Sequence, residues 1–329
     1  MRVRRGLSAL ICAALMLAAG CDNAEYRQQI AAFQQSIGNT RSAVESYYLE
    51  MNQFERDVYF LRLELDQKKK LGIKFLKDSR QREVTEDLVV DGPFSSQAIQ
   101  ARLDSISLLG LYGTRLAELA GTKAPVAFAN NAAALGDNIV KLSGTFENLS
   151  GGGADPTAAR YIGPIGRLIG IAGRLYLEHK RDKALTAEIT AAAPVVAEIV
   201  QLLNDDFDEV IIPQRLTGMK GAIETLKVSY NNRLDDPNSS RQSRRALLTE
   251  IDTLVRNYEL LVNARPQEVL QSLGRANAAL QTYATSSHAP ESLGQLVARM
   301  QEFSDRAKEV AAAIREIKDI RKELSRNEN

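Results

Sequence analysis

From Tyr26 the apolar residues recur at alternating steps of four and three: Tyr26, Ile30, Phe33, Ile37, Val44, Tyr47, Met51, Phe54, Val58, Leu61 and Leu65, with Thr40 as the one polar member of the series. That is the a/d stripe of a heptad repeat, and it confines this stretch to one long helix with a continuous buried seam. Such a helix would be about 60 Å long at 1.5 Å per residue. A compact globule of this size has a radius of gyration near 19 Å, so the spacing predicts an elongated molecule.

The far end of the chain repeats the pattern. Leu293, Leu296, Met300, Phe303, Ala307, Val310, Ile314, Ile317 and Leu324 form a second seam, with Arg321 breaking its register beside Ile320. Pro290 suits the first turn of that helix. The simplest expectation is that the first and last helices pair as an antiparallel coiled-coil stalk over about 26–78 and 290–326. Pairing of each seam with a second copy is the alternative.

Between these ends the reading is helical throughout. Aromatic residues make up 6% and tryptophan is absent, and period-two β-branched runs are hard to find, so the fold class is all-α, an elongated multi-helix bundle. Asp91-Gly92-Pro93 is a turn, and Ser95 or Ser96 caps a helix to about Ala120. Pro125 opens another to about Leu149. Gly151-Gly152-Gly153 reads as a linker before a helix started by Asp155-Pro156. Pro194 and Pro213 should kink or break the helices that contain them. A polar loop at Asp235–Ser240 precedes helices over Arg241–Ala264 and from Pro266 to about Thr285. These central helices, about 95–285, belong with the stalk to a single domain over 26–329.

The N-terminus supplies an address. Arg2, Arg4 and Arg5 precede an apolar run from Leu7 to Leu17, followed by the small residues Ala18, Ala19 and Gly20. This is the layout of an export signal over 1–20, too short to span a bilayer as a retained helix. Leu17-Ala18-Ala19-Gly20-Cys21 resembles the lipobox of bacterial lipoproteins, although Ala18 stands where that family usually has leucine. The resemblance implies cleavage before Cys21 and acylation of its thiol, with residues 21–25 as a short lipidated leash. It also implies palmitate-type acyl chains and a membrane-anchored protein facing the periplasm. Asp22, followed by Asn23, resembles the sorting signal that retains such proteins in the inner membrane; the outer membrane is the other destination. An ordinary secretory signal with Cys21 as a free thiol is the competing reading.

Cysteine usage agrees with an anchor. The chain has two cysteines, and Cys12 lies inside the signal, so cleavage leaves Cys21 without a disulfide partner. Charge excludes one class of partner. The formal net charge is +1, and cleavage removes three arginines but no acidic residue. A nearly neutral chain has no clustered positive field for nucleic acid.

Four stretches invite a functional reading. In "YIGPIGRLIGIAGRLYL", Gly163, Gly166, Gly170 and Gly173 fall on one helical face. Glycine costs a helix about 1 kcal/mol relative to alanine, so the favoured expectation is a close internal helix crossing; a face that docks a partner or a membrane is the alternative. The acidic group from Asn204 to Glu209 lacks the glycine of a calcium loop and reads as a solvated helix face. Lys68, Lys69, Lys70, Lys74, Lys77, Arg80 and Arg82 read as the solvated end of the first helix, or as contacts to anionic head groups or an acidic partner. His179 and His288 have no neighbouring cysteine and no i+4 ligand, which gives no zinc site.

No nucleophile elbow, P-loop or dinucleotide fingerprint occurs. The expectation is therefore a non-enzymatic protein without cofactor or metal, a lipid-anchored tether or adaptor acting on an envelope protein, with the stretch from Lys68 to Phe94 as a docking face. Self-association is a further expectation for partners. The competing functions are a membrane-active, toxin-like helical bundle, suggested by the glycine face and the apolar run Ala124–Gly136, and a periplasmic sensor or ligand-binding bundle.

Overall fold

The structure is a computed structural model that describes residues 24–51, 53, 56, 60, 74–77, 83–86, 96–121, 142, 144–151, 157–175, 181–286 and 289–327. It is an all-α helical bundle with one short exception. In chain order it comprises α1 (24–51), a ribbon of β1 (Lys74–Lys77) and β2 (Glu83–Glu86), α2 (Ser96–Leu119), α3 (144–151) and α4 (Ala159–Leu175). There follow α5 (Arg181–Asp205), a π-helical turn (Asp206–Ile211), α6 (Ile212–Asp235), α7 (Arg241–Ala264), α8 (Pro266–Thr285) and α9 (Pro290–Asn327). The chain divides into two compact units, one of residues 1–42, 100–204 and 267–308, the other of 43–99, 205–266 and 309–329.

The first unit is organised around the start of α1. The seam residues Tyr26, Ile30, Phe33, Ile37 and Thr40 are all buried. Thr40 is tolerated there because its hydroxyl donates to the Ser36 carbonyl at 2.8 Å, one turn back, which leaves no polar group unpaired. The antiparallel partner of α1 is α2, not α9. Gln34 Nε2 donates to Thr114 Oγ1 at 3.2 Å and Arg41 Nε to Ser107 Oγ at 2.7 Å, so rising numbers on one helix meet falling numbers on the other. A Cβ at Gly113 would lie 3.2 Å from the Gln34 Cα, so the glycine is what lets the two backbones approach.

In the same unit α8 and α9 form an antiparallel hairpin. Arg275 pairs with Glu302 at 2.6 Å and Glu268 with Arg306 at 3.3 Å. The α9 seam residues Leu293, Leu296, Met300, Phe303 and Ala307 are buried, and Phe303 meets Phe33 of α1 at 6.4 Å between ring centroids. Within this unit the α1 seam thus meets α2, α8 and α9. Residues 52–73 of the expected stalk are, apart from 53, 56 and 60, outside the described residues, as is Ala124–Gly136.

In the second unit α6 and α7 make a hairpin. Met219, Ala222 and Leu226 of α6 pack with Leu247 and Leu254 of α7, flanked by Ile223, Tyr230, Ile251 and Tyr258. The intervening polar turn is held by its own side chains. Asp236 accepts from the Asn238 N–H at 2.9 Å, and Ser240 caps α7 by accepting from the Ser243 N–H at 3.0 Å.

Pro213 does not break its helix. In an α-helix its ring would collide with the carbonyl four residues earlier. The chain instead widens to a π-helical turn, in which the Ile212 N–H reaches back five residues to Phe207. The widened turn buries Phe207, which stacks on Tyr48 at 5.5 Å and meets Tyr47 edge-on at 5.6 Å. Pro194 likewise lies within an unbroken α5.

The ribbon overturns the expected helix end in the basic stretch. β1 and β2 are antiparallel with Lys74 opposite Glu86 and Lys77 opposite Glu83. Lys68, Lys69, Lys70, Arg80 and Arg82 are outside the described residues.

Candidate functional site

The glycine-rich helix α4 is held by one face and open on the other. Tyr161, Ile165, Leu168 and Ile171 are buried at steps of four, three and three. The Tyr161 ring stacks on Phe146 of α3, with centroids 4.7 Å apart and planes 6° from parallel. Arg102 of α2 is fully buried, lies 5.5 Å from the centre of that ring, and donates to Thr157 Oγ1 at 2.6 Å. A desolvated guanidinium against an aromatic face is a strong local clamp. Arg167 also pairs with Glu198 of α5.

The opposite face carries Gly163, Gly166 and Gly170, all exposed. A Cβ added at Gly166 or Gly170 would meet nothing within 4 Å, and one at Gly163 only the Arg167 side chain. The surroundings of Gly173 lie outside the described side chains. The glycine that does serve a close helix approach is Gly113, in the ordinary-looking "LLGLYGT".

The first unit also buries an acid. Glu188 sits near the start of α5 on the face that carries Leu185, Ile189, Ala192, Val196 and Ile199, and its exposure is 2%. Its Oε2 and the Tyr112 hydroxyl are both buried and have no hydrogen-bond partner among the described residues. Burial pushes the Glu188 carboxyl up to about 7, and the Arg115 guanidinium pulls against that shift. The Tyr112 phenol is raised well above its ordinary value by burial, then by Glu188 and Tyr26. Tyr26, which packs on Tyr283 at 4.6 Å, is raised by burial and by that neighbour. The cluster is an internal set of buried ionisable groups.

The acidic stretch is corrected in part. Asp208 and Glu209 are exposed, but Asn204 at the end of α5 and Asp206 in the π-helical turn are buried. Among the described residues no group of three or more acidic, histidine or cysteine side chains is placed to hold a metal ion. His179, His288, Cys21, Asp22 and Asn23 lie outside the described residues. Among the described residues one segment, Leu185–Ile211, is long and apolar enough to cross a membrane, yet over half of its most apolar stretch is buried within the protein. A core helix passes the same test.

Compared with known proteins, the chain matches no family model, no curated sequence and no solved structure.

Proposed function

We propose that this is a lipid-anchored helical adaptor of the bacterial envelope, tethered through acyl chains on Cys21 and acting by binding another envelope protein. The observation that carries the reading is the short distance between the lipobox-like cysteine and the packed bundle. The described part of helix α1 starts at residue 24, and Tyr26 is already a core residue of the first unit. Three residues of fully extended chain span at most about 11 Å. A cysteine so close to the core suits an anchor that holds the protein at the bilayer surface; two or more acyl chains make such anchoring stable.

The exposed glycine strip of α4 supports an interaction role, since its glycines weaken that helix and a Cβ added at Gly166 would meet nothing within 4 Å. The stretch 68–94 is the second candidate contact. The test is crosslinking in cells that express tagged protein from its native locus, followed by identification of co-purifying proteins. Cys21→Ser, scrambled 68–94 and Gly166→Leu serve as variants. A discrete envelope partner lost with Cys21→Ser supports an anchored adaptor. Persistence of the same partner in all three variants refutes it.

The apolar Leu185–Ile211 segment favours a second reading, a membrane-active bundle. Dye release from liposomes by purified Cys21→Ser protein supports that reading; failure to bind or permeabilise vesicles removes it.

A further inference from the structure

We propose that one end of the first unit, formed by the first turn of α1, the last turn of α2 and the α8–α9 turn, rests against the lipid head groups. The inference builds on acylation of Cys21 and adds which surface faces the bilayer. The three pieces are brought together by contacts within that unit. Tyr26 of α1 packs on Tyr283 near the end of α8. Arg27 of α1 approaches Gly121 just after α2, its guanidinium 3.9 Å from where a Cβ would stand. The chain turns from α8 into α9 between Ser286 and Ser292, whose hydroxyls lie 2.7 Å apart.

Geometry then fixes what the anchor reaches. The three-residue step from Cys21 to Ala24 holds this end within about 11 Å of the acylated thiol. The opposite end of the α1–α2 pair, where Arg41 meets Ser107, lies about 21 Å farther along α1 at the helical rise per residue. The near end also has head-group chemistry. Arg27, Gln28, Glu118, Gly121 and Glu291 are exposed there, a polar surface of mixed charge that fits a zwitterionic interface and does not enter hydrocarbon. The six large apolar side chains exposed among the described residues, Leu49, Phe60, Val228, Leu234, Leu248 and Val262, all belong to the second unit.

The test uses full-length protein expressed with its own signal and reconstituted in nanodiscs containing a head-group nitroxide lipid. Glu118→Cys and Glu291→Cys place a fluorophore at the near end. Gln100→Cys places one at the far end of α2, about 27 Å away along the helix. All three positions are exposed. Quenching at 118 and 291 should exceed that at 100 by about threefold or more, given the steep distance dependence over that length. Equal or stronger quenching at 100 overturns the proposal. The mass of the N-terminal peptide from the same sample separates the two claims. With an acylated Cys21 a reversed pattern refutes only the orientation, whereas an unmodified Cys21 removes the anchor and the orientation together.

Discussion

Replacing Glu188 with glutamine should raise stability above neutral pH and leave it nearly unchanged in acid. The carboxyl is 2% exposed on an apolar helix face, and one of its oxygens has no hydrogen-bond partner among the described residues. Burial moves it from its ordinary 4.5 to about 7, with Arg115 opposing. Below its unfolded value the acid is neutral in both states and contributes nothing. Between 4.5 and about 7 the folded protein retains a proton that the unfolded chain has released, so stability falls as pH rises. Above that range the folded state carries the full cost of a buried charge. At about 1.4 kcal/mol per pH unit, the total is about 3 kcal/mol. Urea denaturation of wild type and Glu188→Gln across pH 4 to 9 reads this directly. The two midpoints should converge near pH 4.5 and separate to about 3 kcal/mol by pH 8. A difference independent of pH, or a glutamine variant less stable at pH 8, would refute the reasoning.

Arg102→Ala should destabilise the protein by about 4 kcal/mol, combining a charge-assisted hydrogen bond to Thr157, the contact with Tyr161 and the space vacated; a loss below about 1 kcal/mol in urea denaturation contradicts the clamp. Phe207→Ala should cost about 4 kcal/mol, and hydrogen exchange should show the loss of protection centred on the π-helical turn and α1 residues 47–51; protection lost evenly across all helices counts against that assignment. Gly166→Ala should stabilise α4 by about 1 kcal/mol, since its Cβ meets nothing; a fall in melting temperature would show that the glycine is packed.

Burial was more legible in the sequence than pairing. The heptad stripe identified the α1 seam as far as Met51, including the polar Thr40, and the seam of α9. Capping and proline signals placed α7 at Arg241–Ala264 and opened α8 and α9 at Pro266 and Pro290. A seam does not name everything that covers it: α1 was expected against α9, and it meets α9 through Phe33 and Phe303 while also lying antiparallel to α2. Glycine has two unrelated uses, close approach and mere exposure, that composition does not separate. Gly113 carried the close approach without any periodic signal.

Other features depend on neighbours that linear order hides. Pro213 was expected to break a helix, but one added residue of hydrogen-bond reach removes its clash and rotates Asp206 and Phe207 inward. The ribbon at 74–86 was obscured because its lysines and glutamates read as a solvated helix end until set opposite one another. Glu188 gave no signal at all: a single acid in an apolar helix is unremarkable until its face is known to be covered.

The central claim is that the helical bundle is held to a membrane through Cys21, and the mass of the N-terminal peptide from protein isolated in its native envelope tests it most directly. The account predicts a chain beginning at Cys21 whose first peptide carries a diacylglyceryl group, with Cys21→Ser protein retaining its signal and lacking lipid. An N-terminus at another residue, or an unmodified Cys21 on protein recovered from the soluble periplasm, would contradict it.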